Sequence, residues 1–232
     1  MTEYERAVKR ADAIAERFIG RAAPVRFTLA VSPREREAIY RLRARVVIER
    51  GWVDPGALRD GIERDQYDDR AVYIAGWDCD ELVATARLVF PAPGAPLPVE
   101  EQFQVDADPH GRSANVDRII VARDYSDPHH RLLSGVTGRC WLELRAQGYS
   151  AAVGVLSPTI LRLYRRIGWR LESLGPARQY WGEQRIPYRF DPIVSLDPGA
   201  GEVTDLERNR SSRLLDHGGG IPHAGTNNSE SH

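Results

Sequence analysis

The spacing of apolar residues along this chain changes period several times, and each change marks an element. Tyr4, Ala7, Val8, Ala11, Ile14, Ala15 and Phe18 recur at helical intervals and stop at Gly20, which predicts an amphipathic helix within residues 1–24. Val25 to Val31 alternates as a half-buried strand does. Ser32-Pro33-Arg34-Glu35 then opens a helix, because serine caps, proline suits the first turn and the glutamate three residues on closes a capping box. That helix carries Ile39, Leu42 and Val46 on one face and ends near Gly51. After a polar stretch, Ala71–Trp77 and Glu81–Val89 read as a hairpin turning at Asp78-Cys79-Asp80. The proline-rich FPAPGAPLPVEEQF reads as a loop, followed by a strand over Asn115–Ala122. A helix from about Pro128 to Gln147, a strand at Ala151–Leu156, a short helix from Ser157-Pro158 to Ile167 and short strands to Leu196 complete the pattern. The final residues are rich in glycine and small polar side chains, so 198–232 is expected to be a flexible, disordered tail behind one domain at 25–197.

Strands and helices in this order do not make a doubly wound nucleotide fold. No GxGxxG follows a strand and there is no Walker loop. The 32 basic side chains balance 33 acidic ones, which argues against a general nucleic-acid binder, since that needs a basic excess to displace counterions from phosphates. Cys79 and Cys140 form no CxxC pair, so neither a disulfide framework nor a zinc knuckle is implied. The charged N-terminus lacks a signal-peptide core and no run is long enough to insert into a membrane. A cytoplasmic protein fits these features.

Five segments occur in a telling order: RLRARVVIERGW at 41–52, ERDQYD at 63–68, ELVATARLVFP at 81–91, ANVDRIIV at 114–121 and LYRRIGW at 163–169. Together they resemble the acyl-homoserine-lactone (autoinducer) synthases and the long-chain N-acyl amino acid synthases, two specialised branches of the GNAT acyltransferases. The resemblance covers about Phe27 to Pro192. It implies a single α+β GNAT-like domain, with a mixed, mostly antiparallel sheet splayed between the strands at 115–122 and 151–156. It implies an N-acyltransferase with no tightly bound cofactor or metal, taking acyl-CoA or an acyl carrier protein as donor and a small amino-acid-like amine as acceptor.

Matched position by position, the resemblance implies amine-binding roles for Arg43, Trp52, the Asp65–Asp68 pair, Arg87, Phe103 and Arg118. Two positions depart from the pattern: Asn115 stands where the relatives have a glutamate, and Val47 where they have an aromatic residue. The tight glycine loop of acetyl-CoA enzymes is also absent, replaced by DYSDPHHRLLSGVTG. Arg123 and Arg131, beside a helix start, are the candidates to hold a phosphopantetheine arm. The backbone of Ile119, Ile120 and Val121 is expected to face the thioester carbonyl, and Tyr164 to protonate the departing thiolate.

The chemistry asks for the same residue types. An α-amino group has a pKa of about 8, so only about a tenth of it is nucleophilic at neutral pH and a carboxylate that takes the proton helps. On a regular strand Asn115 and Asp117 share a face, which lets Asp117 stand in for the missing glutamate. Structural readings compete at each position. Asp65 and Asp68 also fit a solvated loop, the three arginines fit ion pairs with those aspartates, and Tyr164 fits core packing. His129-His130 lacks a third metal ligand at sensible spacing and reads as a helix start. Two functional alternatives remain: a GNAT-shaped sensor without turnover, suggested by Asn115, and an ordinary acetyl-CoA N-acetyltransferase.

Overall fold

The computed structural model describes residues 1–196, so the tail expected at 198–232 lies outside the described residues. Helix α1 (Glu3–Arg21) starts at Thr2, whose hydroxyl accepts from the Glu5 N–H while the Glu5 carboxylate accepts from the Thr2 N–H. After β1 (Arg26–Leu29), α2 (Pro33–Glu49) opens with the Ser32–Glu35 box that its sequence predicts. Three short 3₁₀ turns between Pro55 and Arg70 lead to the hairpin β2 (Ala71–Asp78) and β3 (Glu81–Val89). There follow α3 (Pro98–Phe103), β4 (Ser113–Val121), α4 (Arg131–Ala146), β5 (Ala151–Leu156) and α5 (Pro158–Arg166). Strands β6 (Glu172–Ser173), β7 (Arg178–Tyr180) and β8 (Glu183–Phe190) and the short α6 (Pro192–Ser195) end the described chain.

The sheet runs β1-β2-β3-β4-β5-β8-β6, with β7 also paired to β8. Among the described residues only β4 and β5 are parallel; every other pair is antiparallel. Strand alternation separates two faces. Ile74, Ala86, Leu88 and Val116 pack with Ala11, Phe18, Val136 and Trp141 of α1 and α4. Tyr73, Ala75 and Val89 point the other way, onto Ile39 and Tyr40 of α2. Helix α1 lies tightly on α4. A Cβ on Gly138 would stand 2.6 Å from the Ala15 carbonyl oxygen, and the Trp141 indole donates to Asp12 at 2.7 Å.

Two local expectations need correcting. The proline-rich segment at 90–103 is not all loop, since its last six residues form α3. Pro98 occupies the first turn, where its missing N–H costs nothing, the Glu100 carboxylate accepts from Leu97 N–H at 2.8 Å, and Val99 and Phe103 are buried. Helix α4 starts at Arg131 rather than near Pro128, because Asp127 holds the preceding turn by accepting from the N–H groups of His129 and Arg131 at 2.8 and 2.9 Å.

The α1–α4 contact gives a direct stability test. Gly138→Ala should lower stability by about 1–3 kcal/mol through overpacking, seen as a lower urea midpoint at unchanged slope. An unchanged midpoint would mean the helices do not approach as described.

Candidate functional site

The site begins where two strands part. Strands β4 and β5 pair only at Ser113–Ala151, Ala114–Ala152 and Asn115–Val153. Beyond Asn115 the edge of β4 has no strand partner on that side. The gap opens into a cavity of about 740 Å³. Val116 to Val121 form one wall and Val155 and Leu156 the other, with the starts of α4 and α5 at one side and Trp52 with the β7–β8 hairpin at another. The splay expected at the donor cleft is therefore present.

On the α2 face lies a buried ion network. Arg87 Nε and Nη2 donate to the two oxygens of Asp117 at 2.7 and 2.9 Å, directly across the β3–β4 pair. Arg87 Nη1 donates to Asp65 and stands 3.1 Å from Asp68. Arg43 donates to both Asp68 oxygens at 2.7 and 3.2 Å and also to Glu63. Arg118 donates to Glu63 at 3.2 Å and to Asp65 at 2.9 Å. Asp68 further accepts from the Tyr73 hydroxyl at 2.8 Å and from the Asp65 N–H at 2.8 Å. Three guanidinium groups thus face four carboxylates, leaving one surplus negative charge beside the cavity. The contacts bring Arg43, Asp65, Asp68, Arg87, Asp117 and Arg118 together as mutual ion pairs, which is the structural reading offered for the three arginines. The solvated-loop reading of Asp65 and Asp68 fails, since Asp68 is 1% exposed and Asp65 is tied to two arginines.

Electrostatics follow from that arrangement. Burial alone would raise the Asp117 carboxyl, but Arg87 outweighs it and holds the pKa below the ordinary value. Asp68 is likewise pushed up by burial and pulled further down by Arg43 and Arg87. Asn115 and Asp117 do share a face, with Asn115 Nδ2 donating to Asp117 Oδ2 at 3.1 Å. The one irregularity of β4 falls just beyond them. Arg87 pairs with Asp117 and Thr85 with Ile120, so β4 carries an extra residue there, and Arg118 takes a φ of 49°. With both oxygens engaged by a guanidinium, Asp117 has a low proton affinity, which weakens it as a general base.

The bulge aims Arg118 at an aromatic stack. Its guanidinium carbon lies 3.9 Å from the Trp181 ring centre, Trp181 lies 5.9 Å from Trp52 with the rings tilted at 38°, and the Arg185 guanidinium carbon lies 4.7 Å from the Trp52 ring centre. Trp181 and Gly182 form the two-residue β7–β8 turn, both at positive φ (53° and 75°), as a type I′ hairpin requires. Gly182 also lacks room for a side chain, because a Cβ there would lie 2.5 Å from Trp52 Cα.

The remaining predicted residues divide. Ile119, Ile120, Val121 and Tyr164 line the cavity. The Thr137 hydroxyl donates to the Leu133 carbonyl at 2.9 Å, so the Tyr164 hydroxyl donates to Thr137 Oγ1 at 2.6 Å. Burial raises the Tyr164 pKa and keeps the phenol protonated. Phe103 sits outside the cavity, edge-on to Tyr180 at 5.5 Å. Asn115 is engaged structurally, its Oδ1 accepting from Val99 N–H at 3.1 Å. Arg123 and Arg131 are exposed and do not line the cavity, and Arg131 pairs with Asp127 at 3.5 Å. Sequence reasoning missed Glu63, Trp181 and Arg185. Glu63 was within reach, since it opens the ERDQYD segment. The other two lie in a hairpin with no motif of its own. No group of acidic, histidine or cysteine side chains among the described residues is arranged to hold a metal, and no described helix is long and apolar enough to cross a membrane.

No protein-family model matches the sequence, nor does any curated protein. Solved structures do match it. A CoA-dependent acyl-homoserine lactone synthase, BjaI, solved with SAM and isopentyl-CoA, is 22% identical over 76% of this chain and 81% of its own, with a TM-score of 0.56. TofI, solved in a ternary complex with an inhibitor and MTA, is 25% identical over 75% of this chain and 99% of its own, with a TM-score of 0.55. FeeM, an N-acyl amino acid synthase from uncultured soil microbes, is 14% identical over 72% of this chain and 91% of its own, with a TM-score of 0.58. The chain has the GNAT-like acyltransferase fold, and the proteins it resembles in structure belong to the groups its motifs resemble.

The depressed carboxylates set the acid limb of stability. Their stabilisation is complete above the unfolded carboxylate value of about 4 and is lost as pH falls through the lower folded values. Urea midpoints should therefore drop steeply below about pH 4. Asp68→Asn should lower the neutral-pH midpoint and flatten that acid limb.

Proposed function

We propose that this chain is an N-acyltransferase that moves an acyl group from a thioester carrier, acyl-CoA or an acyl carrier protein, to the amine of a small amino-acid-like acceptor. The observation that carries this reading is the cavity opened by the β4–β5 splay, with the negatively charged network on one face of the sheet. BjaI with its bound SAM and isopentyl-CoA, and the N-acyl amino acid synthase FeeM, support the choice of acceptor and donor classes.

In this mechanism the thioester lies along the unpaired edge of β4, where a backbone N–H at Ile119–Val121 steadies the developing oxyanion, an effect on the order of 10²–10³ in rate per donor. The amine nitrogen attacks the carbonyl carbon, the C–S bond breaks, and the nitrogen gives up a proton. Tyr164, kept protonated by burial, supplies a proton to the leaving thiolate by turning away from Thr137. The surplus negative charge of the network draws the acceptor in as an ammonium ion. Arg87 keeps Asp117 a weak base, so the acceptor loses its proton to water and its neutral fraction limits the rate.

One pair of observations favours a second reading, a binding or sensor protein without turnover. Asn115 cannot act as a base, and both oxygens of Asp117 are occupied by Arg87. Thiol release from acyl-CoA donors of increasing length and from acyl carrier protein, across a panel of amines, decides between the two. A transferase releases thiol only with amine present, whereas silence across the panel leaves the sensor. With turnover, kcat/KM should climb tenfold per pH unit to a plateau at or above about pH 8, the acceptor's own pKa. A break in the carboxylate range would instead restore Asp117 as the base.

A further inference from the structure

Where β4 and β5 part, a tyrosine from a third strand reaches across the gap. Gly154 follows Val153, the last β5 residue paired with β4, and is itself paired with Tyr188 of β8. Partners on neighbouring strands put their side chains on the same face. Glycine has none, so the Tyr188 ring lies over Gly154, with its hydroxyl 3.3 Å from where a Cβ would stand. The hydroxyl thereby reaches the carbonyl of Val116, the first β4 residue past the last β4–β5 pair, at 3.5 Å. A Cβ on Gly154 would also lie 2.2 Å from that carbonyl oxygen, so the crossing requires glycine here.

This hydroxyl is weakly engaged. Good O–H···O bonds are about 2.7–2.8 Å long, and the Tyr164 hydroxyl is committed to Thr137 at 2.6 Å, whereas Tyr188 has only the 3.5 Å contact. A buried hydroxyl so poorly met carries a cost that a better acceptor removes. Burial pushes the Tyr188 phenol well above its usual pKa, so it stays a donor. Its place is a throat. Val116, Ile119, Tyr164 and Tyr188 line both the open cavity and a smaller pocket of about 20 Å³ behind it. Trp169 and Phe190 stand on that pocket's wall, and it has room for little more than one small group. The extra residue in the β4 bulge brings Ile119 to the same throat as Val116. An acyl group that enters along the open edge of β4 and turns its chain inward has its carbonyl in this throat.

We propose that Tyr188 is a second oxyanion donor, its hydroxyl leaving the Val116 carbonyl to donate to the thioester oxygen beside the backbone N–H of β4. This deepens the proposed function and rests on its placement of the thioester. An oxygen that gains negative charge is a stronger acceptor than a peptide carbonyl. The exchange of partners therefore favours the transition state over the bound donor, which is the difference that raises a rate. No proton changes hands in this step, and Tyr164 keeps its separate task at the sulfur.

Isotope-edited infrared spectroscopy of the full-length protein, with no amine present, tests this without turnover. The probes are acetyl-CoA, hexanoyl-CoA and hexanoyl-acyl carrier protein, each labelled with carbon-13 at the thioester carbonyl. A hydrogen bond to the oxygen weakens the C=O bond and lowers its stretching frequency. For a donor that binds, Tyr188→Phe should therefore move the carbonyl band to higher frequency, while Tyr164→Phe leaves it in place. Tyr188→Phe keeps the ring over Gly154 and loses only the 3.5 Å contact, so its urea midpoint should match that of wild type. The proposal is overturned by a Tyr188→Phe band that coincides with the wild-type band, by an equal shift in Tyr164→Phe, or by a collapsed midpoint, which would make Tyr188 a structural tie. Failure of all three donors to bind wild type removes the donor site of the proposed function, and Tyr188 with it. Thiol release is scored separately. With turnover, Tyr188→Phe should lower kcat on the order of 10²–10³ at unchanged KM. A shifted band without release keeps the hydroxyl contact and removes the transferase, whereas wild-type release by Tyr188→Phe keeps the transferase and removes the hydroxyl.

Discussion

Arg87 on β3 grips both oxygens of Asp117 directly opposite on β4, and the rest of the site is built around the cost of burying that pair. Removing two ions from water costs several kcal/mol each, so each lone pair and N–H must find a partner. Asp65, Asp68, Arg43, Glu63 and Arg118 supply them, and each is in turn held by a second member. The result is a rigid block with one surplus negative charge, set into one face of the sheet. Its rigidity makes it a good electrostatic platform and also makes its members poor proton carriers, because a carboxylate clamped by guanidinium has little affinity for a proton.

The cavity depends on the same strand. β4 pairs with β5 over Ser113 to Asn115 and with β3 from Asn115 onward, so beyond Asn115 it stays paired with β3 alone and β5 leaves. The ion pair fixes β4 to β3 at the point of departure, which lets the other edge open without loosening the sheet. The bulge then turns Arg118 out of register and onto Trp181, linking the block to the β7–β8 hairpin across the gap. One strand thus carries the carboxylate, the open edge and the base of the aromatic stack.

The start of α4 departs from an open phosphate cradle for a specific reason. Asp127 accepts from the N–H of Arg131, the first helical residue, and from that of His129 in the turn before it, so an internal carboxylate sits where an external anion would otherwise be drawn. Arg131 is turned toward that same aspartate. On the proposed function, a carrier's phosphates are then held by other contacts at this edge or displace Asp127.

The sequence by itself determined the regular elements, because apolar spacing, capping boxes at Thr2 and Ser32 and the tight turn at Cys79 act over a few neighbouring residues. Through the order of their motifs it also marked Arg43, Asp65, Asp68, Arg87 and Arg118 as candidates for one site, and strand alternation added Asp117. Only the tertiary structure decided what those residues do to one another. Burial and cross-strand register turn Asp117 from a candidate base into half of an ion pair, and Arg123 and Arg131, promising in sequence, remain outside the cavity. Helix α3 was hidden because its prolines read as loop, while what holds it is the burial of Val99 and Phe103 by residues distant in the chain. Arg185 had no local signature at all. It reaches the cavity wall because a hairpin folds Trp181 onto Trp52, and contact between residues so far apart in the chain leaves no local pattern in the sequence.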